Sequence, residues 1–558
     1  MKAVVKKNSL RQVAGKISNL IKPKNYLVKE ASANMRILRD FHIPMRDGKY
    51  LSANIYMPNT GGKFSPLVAL HPARKDVVCR NGYMHIQYRF ARQPGKLAFS
   101  DETSFEAPDP DFWVANGFAV INIDKRGFGL TPGDDTPQGF FDDREIQDLY
   151  DAVEWAGVQD WSNGNVGMLG VSYLAINQYK VAAMNPPHLK AMCPWEGVSD
   201  LYKDWFYPGG VREYGFTPFL FKRLQQFGFG EDLGVISAQH PLRDDFWKSY
   251  AADFSRITVP MLNCVSFSCQ MFHSRGSQRV YEQSGSSQKW LYTHRNGEWT
   301  EYYSTEATAM MLKFFTQFLK EQNTGMMNHP RVRLEVRESG DQIKEVRYEE
   351  QWPPAGIVWK SLGLSNSSRF LYPVSNESPD ADIPASFRLK NAAVEYTYRF
   401  TQDTEITGPA RLSLFVSLAG IDDANLYAGI RKFRNGKEVG FEGTYGFPRD
   451  LVSKAALRVA LRRINTELSR PESPEHDFDT MEPVAPGEIV KLDFQFSPSS
   501  TFYRAGDELR LVIQGRYFID GKKIHQPFRY AGNNRGVCRI HSGPETNSEL
   551  LLPFINRG

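Results

Sequence analysis

The chain has 558 residues, of which 41% are hydrophobic and 13% aromatic; a chain this long exceeds what one core can serve, so two or three domains are expected and general disorder is excluded. The net charge of +5 is small for the length and is concentrated in a basic opening segment (Lys2, Lys6, Lys7, Arg11, Lys16, Lys22, Lys24, Lys29), so nucleic acid is not an expected partner. No stretch has the apolar length of a membrane span or a signal peptide, and the five cysteines show no C-x-x-C, which predicts a soluble cytoplasmic protein with buried thiols and neither a disulfide framework nor a zinc motif.

In chain order, residues 1–30 read as a basic N-terminal extension. Residues 40–58 alternate apolar and polar side chains around Arg46-Asp47-Gly48, which predicts a hairpin with an Asp-Gly turn. The short apolar runs at 66–70 and 118–123 are expected to be strands covered on both faces, with a helix begun at Pro108-Asp-Pro-Asp between them. A helix over 144–155 and a strand over 166–170 continue a strand and helix alternation, the pattern of a parallel α/β sheet. Residues 196–256 break that rhythm with aromatics and glycines and are expected to form a helical cap inserted into the sheet domain. Strands at 259–265 and 289–293 and an apolar helix at 305–319 then complete a core made of 31–195 and 257–328.

From residue 329 the pattern changes to short alternating segments at 331–337, 410–417, 489–496 and 508–514, which predict an antiparallel jelly-roll β-sandwich running to 558. Only 450–467 reads as helical within it. The expected fold class is α/β: a hydrolase-type core with an inserted helical cap and a C-terminal jelly roll.

Ser172 lies in Asn165-Val-Gly-Met-Leu-Gly-Val-Ser-Tyr-Leu-Ala175, where an apolar strand meets a Gly-X-Ser turn and then a helical pattern. Such an elbow lifts a nucleophilic hydroxyl above a parallel sheet. The tripeptide alone is weak, because Gly197-Val-Ser199 and Gly363-Leu-Ser365 repeat it; context singles out Ser172. The second glycine usual in such elbows is Leu174 here, with Ala175 the next small residue.

Beyond this turn, Asp124-Lys-Arg-Gly-Phe-Gly-Leu-Thr-Pro-Gly133, Pro194-Trp-Glu-Gly-Val-Ser-Asp200, Tyr207-Pro-Gly-Gly210 and Pro498-Ser-Ser-Thr-Phe-Tyr-Arg-Ala-Gly506 give the chain a resemblance to the cocaine esterase and X-prolyl dipeptidyl aminopeptidase (CocE/NonD, S15-like) group of α/β-hydrolases. It covers nearly everything after residue 35. The resemblance implies serine acyl transfer, with an active site between core and cap, Ser172 as nucleophile and the Tyr173 N–H as one oxyanion donor. Trp195 falls beside that site and is expected among its substrate-binding residues.

At three positions the chain departs from the family pattern. Where the family places an oxyanion tyrosine stands Ala73; where it places the triad aspartate, in Phe267-Ser-Cys-Gln-Met-Phe-His273, stands Cys269; and where it places the histidine, in Thr293-His-Arg-Asn-Gly-Glu-Trp-Thr300, stands Glu298. These changes predict a degenerate triad. Two substitutes are open: His294, oriented by Glu298 or Glu301, or Glu298 itself as an acid or base. His273 and His240 also fall near the expected cleft, where structural anchoring is the expected role, and Cys269 reads as a buried thiol.

The first functional reading is an acyl hydrolase or acyl transferase acting on an ester, thioester or amide of a small hydrophobic substrate through Ser172. One alternative is a non-hydrolytic enzyme that cyclises, isomerises or eliminates a reactive metabolite with Glu298 as acid or base; another is a catalytically inactive binding module. No motif requires a metal or an organic cofactor. Cap and sandwich surfaces both offer faces for a homo-oligomer.

Overall fold

The computed structural model describes residues 26–78, 80, 96–340, 342–374, 383–444, 450–518 and 528–556. Most of the basic extension, as well as Cys79, lies outside them.

The central sheet is built from β1 (Met35–Pro44), β2 (Tyr50–Pro58), β3 (Ser65–His71), β4 (Phe118–Asp124), β5 (Val166–Val171), β6 (Leu189–Trp195), β7 (Met261–Ser266) and β8 (Lys289–His294). Their lateral order is β1-β2-β4-β3-β5-β6-β7-β8, antiparallel from β1 through β2 to β4 and parallel from there on. The β1–β2 hairpin turns at the expected Asp-Gly, where Gly48 adopts φ 80 and donates to the Met45 carbonyl at 3.0 Å. Every residue of β3, β4, β5 and β7 is buried, as the unbroken apolar runs require of a sheet covered on both sides.

Helices α1 (Pro110–Ala115), α2 (Asp143–Gly157), α3 (Tyr173–Ala183), α4 (Phe216–Leu224), α5 (Ser274–Gln283), α6 (Glu298–Tyr302) and α7 (Thr305–Leu319) divide between the two faces and the cap. Ile146, Leu149 and Val153 of α2, Tyr179 and Val181 of α3 and Val280 of α5 pack on one face of the sheet. Trp113 of α1, Trp299 and Tyr302 of α6 and Met311, Phe314 and Phe315 of α7 cover the other. Asp142 caps α2 by accepting from the Glu145 N–H, and Ser304 caps α7 by accepting from the Ala307 N–H. Because the strands are parallel, their C-terminal ends gather at one edge, and the segments leaving β5, β6, β7 and β8 there converge above the sheet.

Between β6 and β7 the chain forms the cap from short helical turns and α4, with Tyr202, Trp205, Phe206, Phe221 and Trp247 buried against one another. Glu213 ties the cap together and to the sandwich: its carboxylate accepts from the N–H groups of Gly215, Phe216 and Thr217 and from that of Arg529. At Gly209 (φ 65) a Cβ would stand 1.9 Å from the Ala456 carbonyl oxygen, so the cap approaches the sandwich closer than a side chain allows.

The C-terminal half is sheet-rich, as expected of a jelly roll. One sheet pairs Ala393–Arg399, Glu508–Gln514, Asn425–Arg434 and Lys437–Val439; a second contains Arg411–Ala419, Val490–Gln495, Val537–His541 and Glu549–Ile555. The strand β9 (Val332–Ser339) extends the core sheet from β8 and meets the sandwich at Arg337 opposite Thr501. The helix expected over 450–467 is not formed: Ser453–Arg458 is a strand paired antiparallel with Asn425–Arg434, followed by a single turn, Val459–Leu461. Its alanines and leucine favour a helix, but pairing buries every residue from Ser453 to Leu457, and that tertiary gain overrides the local preference.

Candidate active site

Ser172 sits between β5 and α3 with φ 56 and ψ −111, a conformation that costs a non-glycine residue of order 1–3 kcal/mol and that is held here by packing on both sides. Its N–H donates to the Trp195 carbonyl at 3.0 Å, and its own carbonyl accepts from Ala175 and Ile176 at the start of α3. The side chain is thereby raised at the sheet's C-terminal edge, and the residue is partly exposed. The Tyr173 N–H, first of the helix, has no intrahelical carbonyl to reach.

The imidazole facing this hydroxyl belongs to His273: its Nε2 lies 3.2 Å from Ser172 Oγ. His273 follows β7 through a turn in which Met271 takes φ 58, is fully buried, and stacks on Phe272 with ring centroids 3.9 Å apart. Around its other nitrogen, Nδ1, lie Cys269 Sγ at 3.4 Å, Glu298 Oε1 at 3.6 Å and Glu196 Oε2 at 3.8 Å. The sequence left His294 and Glu298 open as substitutes for the base and gave His273 an anchoring role; in the structure the imidazole that reaches the hydroxyl is that of His273. His294 ends β8, so its ring is directed into the sheet edge, where Nε2 lies 2.9 Å from Glu196 Oε1 and the ring stacks on Trp195.

Charges in this cluster sort themselves. Burial raises the Glu298 carboxyl well above its ordinary range, and the neighbouring Glu196 and Glu106 carboxyls add to the rise. Glu106 is pushed up to about 8 by burial, against the opposing hydrogen bond from Trp299 Nε1 at 2.9 Å. Burial would raise Glu196 too, but His294 and His273 outweigh it and hold that carboxyl low; Glu196 in turn keeps His294 above its ordinary value despite burial. His273 is lowered by burial, with Glu196 only partly opposing. Burial thus works against charge on Glu298, Glu106 and His273, whereas the Glu196–His294 pairing favours charge on both of its partners, and His273 Nε2 is the ring nitrogen directed at the serine hydroxyl.

The remaining candidates fall as follows. Glu301 is engaged by Tyr292 and Asn296 at 2.6 Å each and does not orient His294 as a free carboxylate. Trp195 is fully buried between Tyr292, His294 and Tyr302, so its indole is core and not a substrate-binding surface; only its carbonyl serves the site, on Ser172. Ala73 packs against the apolar cluster that includes the cap aromatics and carries no hydroxyl for an oxyanion. The Tyr173 side chain points away, donating to Glu145 at 2.7 Å. His240 lies in the cap, bonded to Asp244 at 2.7 Å and stacked on Phe246, which is an anchoring role. Cys269 is buried, and burial with Glu298 and Glu196 nearby drives its thiol well above the ordinary range.

Two members of the cluster were not singled out in the sequence. Glu196 carried a signal: an acid placed directly after the apolar strand Leu189–Trp195 stands at a parallel sheet's C-terminal edge, and it takes φ 54 there. Glu106 lies in a connecting segment with no periodic pattern, and no signal marked it.

A strained serine at a strand-to-helix elbow, an imidazole on its hydroxyl and carboxyls behind that imidazole define an α/β-hydrolase of the serine type. Residues 47–227 match the family model for X-Pro dipeptidyl-peptidase (S15 family), and residues 324–551 match that for the X-Pro dipeptidyl-peptidase C-terminal non-catalytic domain. The chain is 31% identical to cocaine esterase from Rhodococcus sp. (strain MB1 Bresler), over 94% of this chain and 99% of that protein. It is similar to a crystal structure of a CocE/NonD family hydrolase from Staphylococcus aureus, with a TM-score of 0.87, 33% identity and coverage of 96% of this chain and 100% of that one. An α-amino acid ester hydrolase shares the fold with a TM-score of 0.68 at 17% identity, covering 96% of this chain and 99% of that one. The chain belongs to the CocE/NonD family of α/β-hydrolases, a family of serine-hydrolase-type enzymes. Among the described residues no helix is long and apolar enough to cross a membrane.

Proposed function

We propose that this protein is an esterase-type acyl hydrolase acting on a small hydrophobic ester through Ser172, with His273 as general base. The observation that carries this reading is the 3.2 Å approach of His273 Nε2 to Ser172 Oγ. In the first step the hydroxyl proton passes to Nε2 while Oγ bonds to the ester carbonyl carbon; the imidazolium then returns that proton to the departing alkoxide, leaving an acyl-serine. Water repeats the sequence, losing its proton to Nε2, and the acid is released with Ser172 restored. The Tyr173 N–H supports the oxyanion.

In this reading the base and the carboxyl have traded loops relative to the pattern the resemblance implies. The loop after β7, where that pattern places an aspartate, supplies the imidazole, and the loop after β8, where it places a histidine, supplies Glu298. The ionised carboxylate nearest Nδ1 is that of Glu196, which favours the tautomer with hydrogen on Nδ1 and leaves Nε2 free to accept. The preference for an apolar substrate is supported by the aromatic wall next to the base, where Phe272 meets Trp205, Phe216 and Phe528.

A fluorophosphonate probe tests the reading. Labelling of the full chain that is lost in Ser172→Ala and in His273→Ala, together with turnover of p-nitrophenyl butyrate, is the expected result. Turnover that survives Ser172→Ala with no labelling of the parent protein overturns it.

A further inference from the structure

Cys269, His273 and Glu196 each present a donor atom so that Sγ, an imidazole nitrogen and a carboxylate oxygen all lie within 4.8 Å of one another, with all three residues buried. Two edges of this trio are 3.4 Å from Cys269 Sγ to His273 Nδ1 and 3.8 Å from Nδ1 to Glu196 Oε2. A tetrahedral zinc ion with ordinary bond lengths to sulfur, nitrogen and oxygen holds such donors roughly 3.4–3.6 Å apart. A second observation points the same way: Glu298 is 1% exposed, neither of its oxygens has a hydrogen-bond partner among the described residues, and Oε1 stands 3.6 Å from the same Nδ1. A buried carboxyl left unpaired beside a thiol and an imidazole is costly unless something binds it.

We propose that Cys269, His273 and Glu196, with Glu298 adjacent, form an inhibitory site for a borderline divalent transition ion, Zn²⁺ in particular. The donor set of one sulfur, one imidazole nitrogen and carboxylate oxygen selects such an ion over Mg²⁺ or Ca²⁺, which take oxygen ligands. On binding, the thiol releases its proton to solvent and the His273 Nδ1 lone pair goes to the ion, so the ring hydrogen resides on Nε2. That N–H then faces Ser172 Oγ, no acceptor remains for the serine proton, and hydrolysis stops. A second trio, Glu196, Cys264 and His294, shares the glutamate, but there Glu196 Oε1 and His294 Nε2 lie 2.9 Å apart, closer than the roughly 3.4 Å at which one zinc ion holds two ligands.

The binding half of the proposal is independent of the esterase reading; the inhibitory half rests on it. Zn²⁺ is titrated into full-length Ser172→Ala by equilibrium dialysis, and Co²⁺ is added in parallel to look for a thiolate-to-metal charge-transfer band. The expected result is one ion per chain, a cobalt–thiolate band, and at least a tenfold loss of affinity on adding Cys269→Ser, with Cys264→Ser leaving the affinity unchanged. Glu196→Gln provides a second binding-deficient variant should Cys269→Ser fail to fold. No stoichiometric ion, or a loss that follows Cys264 in place of Cys269, overturns the site. With the unmodified protein, micromolar Zn²⁺ is expected to abolish p-nitrophenyl butyrate turnover and EDTA to restore it. A site filled by one zinc without loss of turnover overturns the inhibitory role, whereas a protein with no esterase activity overturns the functional reading and leaves the binding result standing.

Discussion

Glu196 bridges two imidazoles: its Oε1 lies 2.9 Å from His294 Nε2 and its Oε2 lies 3.8 Å from His273 Nδ1, with all three residues fully buried. One carboxylate between two rings cannot treat them alike. The shorter contact favours the charged form of His294, while burial lowers His273, the ring that faces Ser172.

The two histidines are therefore expected to separate in kinetics. His273→Ala removes the proposed acceptor of the serine proton and is expected to lower kcat by on the order of 10⁴-fold or more, with little change in KM. His294→Gln acts through Glu196 and is expected to lower kcat less and to reduce thermal stability, because it leaves a buried carboxylate without its cation. Steady-state kinetics and Tm on both variants check this; equal losses of kcat would count against the assignment of His273.

The helix carrying the chain away from His273 is clamped from outside the core. Arg279 on α5 bonds Asp204 of the cap at 2.9 Å and Glu475 of the sandwich at 3.3 Å, and Lys203 also reaches Glu475 at 3.0 Å. Burial would raise the Glu475 carboxyl, but Arg279 and Lys203 hold it far below its ordinary range. Glu475→Gln leaves those cations short of a partner and is expected to cost about 3 kcal/mol or more of stability, read by denaturant unfolding. A change under about 1 kcal/mol would show that the clamp is not a major support.

Gly209→Ala is expected to loosen the cap from the sandwich. The residue combines φ 65 with only 1.9 Å between a built Cβ and the Ala456 carbonyl oxygen, so the backbone on one side must move. Faster proteolysis within residues 196–256 and a lowered Tm are the expected outcomes; a variant indistinguishable from the parent in both would refute the close approach.

Acid sensitivity has a traceable contributor in His476, which burial lowers to about 4 even though Glu475 pulls the other way. The unfolded chain binds this proton near pH 6.5 and the folded one only near 4, so the histidine's contribution to stability is complete above pH 6.5 and is lost as pH falls toward 4. At pH 5 the loss is about 2 kcal/mol. The drop in Tm between pH 7 and pH 5 is expected to shrink in His476→Gln, and an unchanged drop would remove this residue from the account.

Much of this molecule is written in local pattern. The apolar runs that became β3, β4, β5 and β7, the Asp-Gly hairpin and the elbow at Ser172 depend on burial on both faces and on short-range backbone geometry, which neighbouring residues specify by themselves. Residues 453–458 show the limit, since their strand exists only because Asn425–Arg434 lies alongside. The site lies beyond that limit altogether. Ser172 and His273 are separated by 101 positions, and the pair forms because the loop after β7 reverses at Met271 and delivers one imidazole to the hydroxyl while β8 buries the other against Glu196. Periodicity determines which face of a strand is buried; only the paths of the loops, set by packing between core, cap and sandwich, decided which histidine meets the serine.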